Sequence, residues 1–227
     1  RLFKRRALFA NQLGLYHSNR GNRRRALSYY KQGLSIYRAR LNKSAEATML
    51  SNIGGVYADL GDKQKALWYF EKALLASKRV ENRRTEATTL TNIGVVWHTL
   101  GNTESALRYL EEALSIRREV GDREGEASTL GNIGSVYADL GDKQKALWYF
   151  EESLSIYREM GDRGGAATTL SNMALTTYEL GNLKQANIFS KEAVELGIQV
   201  QHYGLKTMES ILSHLQDIQN QQNSEDS

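Results

Sequence analysis

The chain has 227 residues, a formal net charge of +4, 25% charged side chains, no cysteine and no proline. Without cysteine there is no disulfide framework, no thiolate nucleophile and no cysteine-ligated zinc or iron–sulfur group, and a proline-free sequence rich in Ala, Leu, Glu, Lys and Arg favours helix throughout. No run approaches about eighteen apolar residues and no charged-then-apolar leader is present, so neither a membrane span nor a signal peptide is expected, and the expected setting is cytoplasmic. The first residue, Arg1 rather than Met, leads us to expect a segment of a longer or processed chain with further domains covalently attached.

Residues 1–45 carry twelve basic side chains and no acid, which leaves 18 basic against 26 acidic residues, or −8, for the rest. Such polarity can recruit an anionic partner such as nucleic acid, lipid or an acidic protein tail. It equally suits docking onto a neighbouring acidic domain, or a solvated face. The arginines are not interleaved with stacking aromatics in the manner of single-strand binders.

From residue 12 onward the chain repeats itself every 40 residues. The stretch 52–71 (NIGGVYADLGDKQKALWYFE) returns at 132–151 with one change in twenty, Gly55 against Ser135, and weaker versions stand at 12–31, 92–111 and 172–191. Self-similarity at this length signals a solenoid whose units bury their apolar faces against neighbours. Repeat windows of about 1–40, 41–80, 81–120, 121–160 and 161–201 follow. Each contains a Gly-Asp or Gly-Asn pair such as Gly141-Asp142: glycine ends one helix in the left-handed conformation and the next residue caps another. Every unit is therefore predicted as helix, tight turn, helix.

Small residues recur at Ala26, Ala66, Ala106, Ala146 and Ala186, and again at Gly33, Ala73, Ala113, Ser153 and Ala193. Two small positions seven apart share one helix face, where a partner helix must come close. In the first helix Gly14, Gly54, Gly94 and Gly134 fall mid-helix, at a cost of roughly 1 kcal/mol each against alanine, which again predicts close contact. After the fifth unit, Leu205, Met208, Ile211, Leu212, Leu215 and Ile218 are spaced for one helix face. This predicts a capping helix over 202–219 and a disordered tail over 220–227.

The pattern Ile133-Gly134-x-x-Tyr137, Gly141-Asp142, Ala146-x-x-x-Phe150 resembles the tetratricopeptide repeat, in five copies over about residues 7–200. It departs from that family in lacking the terminal proline and in its period of 40 rather than 34. In this it is similar to the long-repeat subgroup of kinesin light chains, Pins-type adaptors and bacterial multidomain regulators. The resemblance implies an all-α, right-handed α-solenoid and a non-enzymatic scaffold that binds an extended peptide or partner protein in a concave groove, as the recognition arm of a larger regulator. The alternative is a binder of nucleic acid or another anionic surface through the basic first repeat.

Carried over position by position, the resemblance places a groove ladder at Gln12, Asn52, Asn92, Asn132 and Asn172. An amide offers donors and an acceptor to a peptide backbone whatever its side chains; the other reading is that these amides bond within the solenoid. Around the ladder the expected floor and rim are Thr48, Ser51, Asp59, Thr88, Thr91, His98, Ser128, Ser135, Asp139, Tyr178 and Glu179, an acidic rim suited to a neutral or basic ligand. Trp68 and Trp148 mark either a contact surface or packing against the neighbouring repeat. His17, His98, His202 and His214 pair with no carboxylate at metal-ligand spacing, so no metal, cofactor or catalytic group is expected.

Overall fold

The computed structural model describes residues 2–225, and among them there are eleven helices and no strand. Ten form five pairs: α1 (Leu2–Asn19) with α2 (Arg23–Ala39), α3 (Lys43–Asp59) with α4 (Lys63–Arg79), α5 (Arg83–Thr99) with α6 (Thr103–Glu119), α7 (Arg123–Asp139) with α8 (Lys143–Met160), and α9 (Arg163–Glu179) with α10 (Leu183–Gln199). The last, α11, spans Leu205–Glu225. The all-helical solenoid class expected from the repeats is the observed one. None of the helices in the described residues is long and apolar enough to cross a membrane.

Helix ends follow the local sequence. Asn42, Asp62, Asn82, Asn102, Asp122, Asp142, Asp162 and Asn182 each accept a backbone N–H of the first turn they precede, satisfying donors that have no partner inside the helix. The turn inside each repeat needs a left-handed residue, supplied for example by Gly61 (φ 82°) and Gly141 (φ 85°). Three turns between units fill the same role with Leu41, Glu81 and Gln201, at φ 54°, 52° and 49°, each paying about 1 kcal/mol for its Cβ.

The chain divides into two compact units, Arg1–Gly121 and Asp122–Ser227. In the first, Met49, Ile53 and Val56 of α3 pack with Ala26, Tyr30 and Leu34 of α2, and Ile93 and Val96 of α5 pack with Ala66 and Phe70 of α4. Burial pushes the Tyr30 hydroxyl up to about 12. In the second, Leu170 and Met173 of α9 pack with Ala146, Phe150 and Leu154 of α8. The mid-helix glycines sit under large side chains: a methyl on Gly54 would come within 2.6 Å of Phe70, and one on Gly134 within 2.7 Å of Phe150.

The last helix differs from its expected bounds. Leu215 seals Leu183 and Ala186 of α10, but α11 runs on to Glu225, so residues 220–225 are helical rather than a disordered tail; 226 and 227 lie outside the described residues. The extra turn needs no buried face, since an existing helix extends at little cost through glutamine-rich sequence.

Candidate functional site

Every first helix presents one column at spacing i, i+4, i+7, i+11, which keeps side chains on a single face. On α3 it reads Thr48, Asn52, Gly55, Asp59; on α5, Thr88, Asn92, Val95, Thr99; on α7, Ser128, Asn132, Ser135, Asp139; on α9, Thr168, Asn172, Leu175, Glu179. The four asparagines are half-buried and Gln12 on α1 is exposed. Their bonding is unequal. Asn52 Nδ2 donates to Asn11 Oδ1 at 3.1 Å, tying α3 to α1. The preceding residue is short in the later repeats, Ser51, Thr91, Gly131 and Ser171, and among the described residues the side-chain amides of Asn92, Asn132 and Asn172 make no hydrogen bond to the chain. They are reachable by solvent, with two donors and an acceptor to spare.

In the second unit the column opens into a cleft of about 150 Å³ between α7 and α9, lined by Ser135, Ala138, Asp139, Lys143, Asn172, Leu175, Thr176 and Glu179, with Phe150 at its base. Ser135 Oγ donates to the Gly131 carbonyl at 3.1 Å, and Ser128 is exposed further along α7. Polar and apolar groups therefore converge beside an amide with unused bonding capacity.

Several expected floor residues lie elsewhere. Ser51 and Thr91 are buried: Ser51 accepts from Thr89 Oγ1 at 3.2 Å and Thr91 donates to the Ala87 carbonyl at 3.0 Å. One residue round the helix from the asparagine turns the side chain off the open face, and for Ser51 into the contact with α5. Thr48 is half-buried, 3.4 Å from Thr85 Oγ1, while Thr88 is exposed and donates to the Arg84 carbonyl. His98 is half-buried. Tyr178 packs with Leu183 and Leu215 and meets His214 edge-on, so it supports α11 rather than forming a rim.

The rim is also less acidic than its sequence. Arg23 Nε pairs with Asp59 at 3.0 Å, and Lys143 pairs with Glu179; in each case the start of one second helix meets the end of the next first helix, 36 residues on. These bases offset the charge that favoured a basic ligand. Sequence reasoning passed over Leu8, Leu15 and Leu175, which are exposed in the column with Val95. The signal was available: position 15 and its equivalents alternate large and small, Leu15, Gly55, Val95, Ser135, Leu175. Trp68 and Trp148 are 51% and 52% exposed, each edge-on to the tyrosine that follows it, which favours the contact-surface reading.

Profiles described as tetratricopeptide repeat match residues 45–119, 85–159 and 125–199, and a further one matches 6–44. Together they run unbroken from residue 6 to residue 199. The chain belongs to the tetratricopeptide repeat family. No curated protein matches its sequence. Among solved tetratricopeptide-like structures it is similar to the Rap conjugation gene regulator of plasmid pLS20 in complex with the Phr* peptide, at TM-score 0.80 and 20% identity over 92% of this chain and 58% of that one. A Rap protein complexed with competence and sporulation factor gives TM-score 0.80 and 18% identity, over 96% of this chain and 65% of that chain. The signal-transduction ATPase with a tetratricopeptide repeat sensor from Pyrococcus horikoshii gives 0.76 and 18%, over 90% and 31%. The chain thus spans under two thirds of the length of each of these three. At these identities the likeness is one of fold.

Proposed function

We propose that this chain is a non-enzymatic interaction module that takes an extended peptide, or an extended segment of a partner protein, against the first-helix columns, as the recognition arm of a larger regulatory protein. The observation that carries this reading is the pair of half-buried, solvent-reachable amides at Asn132 and Asn172 of the second unit, beside its cleft, that make no hydrogen bond within the described chain. A backbone amide in an extended ligand supplies the complementary acceptor and donor. Two of the similar solved structures are named as complexes, one with the Phr* peptide and one with competence and sporulation factor, which supports a peptide as ligand class. With Glu179 already paired, the ligand we infer is neutral overall, with a small apolar side chain for Leu175.

The test is a displayed library of unstructured peptides panned on the wild-type chain, followed by calorimetric titration of the selected peptides. Each lost amide removes about 1 kcal/mol. Asn132→Ala with Asn172→Ala is therefore expected to weaken binding about 30-fold without lowering thermal stability. Equal affinity for wild type and the double variant would overturn the reading.

A further inference from the structure

The first helix carries an apolar stripe that nothing among the described residues covers. Phe9 is 61% and Tyr16 51% exposed, with Leu13 half-buried between them and exposed Arg6 one turn before. Residues 6, 9, 13 and 16 follow the i, i+3, i+7, i+10 spacing of one helix face. The 40-residue register shows what that face is for. Its equivalents are Met49, Ile53 and Val56 on α3, Thr89, Ile93 and Val96 on α5, and Thr169, Met173 and Thr176 on α9, all buried.

In each of these cases the cover comes from the preceding helices. The Met49 sulfur lies 3.1 Å from where a methyl on Gly33 of α2 would stand, and Met49, Ile53 and Val56 pack on Ala26, Tyr30 and Leu34. Thr169 Oγ1 lies 3.4 Å from Ser153 Oγ of α8. A preceding second helix, with a small residue, an aromatic and a leucine at successive turns, is thus the shape that fits the stripe.

Charge identifies the occupant further. On α3 and α5 the residue that opens this face is a buried acid, Glu46 or Glu86, met by a base at the end of the preceding second helix: Arg38 at 2.9 Å and Lys78 at 3.7 Å. On α1 the same position is Arg6, next to Arg5 and one turn from Phe3, whose ring Arg40 covers at 4.4 Å. The sign is reversed. A second copy of this chain is the poorer fit, because its α2, α4, α6 and α8 carry Arg38, Lys78, Arg118 and Arg158 in the last turn, which would bring like charges together, and its α10 is already sealed by α11.

We propose that α1 is the docking face for a partner's amphipathic helix, built on the second-helix pattern and carrying an acid in its last turn where α2 carries Arg38. The helix lies on Phe9, Leu13 and Tyr16, and its acid meets Arg6. This surface is separate from the amide column, which on α1 runs through Leu8, Gln12 and Leu15.

The test titrates the full chain with a helix-stabilised peptide of residues 142–160 carrying Arg158→Glu, beside the same peptide with Arg158 retained. The Arg158→Glu peptide is expected to bind about threefold tighter than the unchanged one. Phe9→Ala with Tyr16→Ala is expected to weaken it about tenfold without lowering the melting temperature, since both rings are exposed. Arg6→Glu is expected to reverse the preference between the two peptides, an outcome that general damage to the fold cannot produce. Failure of the Arg158→Glu peptide to bind overturns the proposal, as does a preference that Arg6→Glu leaves unchanged. Phe9-dependent binding of oligothymidylate or phosphatidylserine vesicles in place of the peptide, or Phe9-dependent self-association, would overturn it in favour of that occupant.

Discussion

Gly54 and Gly55 are neighbours in α3, and a methyl group added to them meets opposite surroundings. At Gly54 it would stand 2.6 Å from the buried Phe70 ring, whereas at Gly55 nothing lies within 4 Å. Replacing helical glycine by alanine gains up to about 1 kcal/mol, and forcing a packed ring aside costs about 1–3 kcal/mol. Gly54→Ala is therefore expected to lower the stability measured in urea by roughly 1–2 kcal/mol, and Gly55→Ala to raise it by up to about 1 kcal/mol. Changes of the same sign would contradict the packing described for this face. The close approach at Gly54, Gly94 and Gly134 was legible in the sequence, because a repeated cost implies a repeated contact. The fate of Ser51 and Thr91 was not: a small polar residue beside the ladder reads as surface, and only the neighbouring helix shows that its hydroxyl is buried and bonded.

The helices are tied to one another at their ends by acids that the sequence alone shows only as charges. Glu46, Glu86 and Glu126 are buried in the first turns of α3, α5 and α7, each receiving a nearby base: Lys43 and Arg38 on Glu46, Arg83 on Glu86 and Arg123 on Glu126, at 2.8–2.9 Å. Arg83 and Arg123 also reach Glu119 and Glu159 in the second helix of the same repeat. At Glu46, burial pushes the carboxyl up, but the hydrogen bonds and charges of Lys43 and Arg38 outweigh it and hold the group below its ordinary value. A folded pKa below the unfolded one, about 4.3 for Glu, gives stability that is complete above that value. It is lost as pH falls through the folded value. Wild type is thus expected to exceed Glu46→Gln in urea midpoint at pH 7, and the gap is expected to close as pH falls below about 4. A gap that stays constant from pH 7 to 3 would show that the ion pairs contribute nothing specific to α3. Helix type and order could be read from the repeats; this reach from one helix to the next could not, because it joins residues 36 apart.

At the scale of the whole chain, each apolar cluster draws on consecutive helices. Leu170 packs with residues of α8, α9, α10 and α11, and Ile53 with residues of α2, α3 and α4. When every element is stabilised by its neighbours in sequence, stability approaches a sum of local terms, and a lesion is felt where it is made. Leu170 is fully buried, so Leu170→Ala is expected to cost about 2–5 kcal/mol. That loss should appear in native-state hydrogen exchange as faster opening of amides in α8 to α11, with those of α2 to α4 close to wild type. Ile53, equally buried, provides the mirror experiment: Ile53→Ala is expected to loosen α2 to α4 and spare α9 to α11. If either substitution speeds exchange equally in both groups of helices, the chain opens as one cooperative body. Its near-identical units, 52–71 and 132–151, would then be coupled far beyond the neighbours they touch.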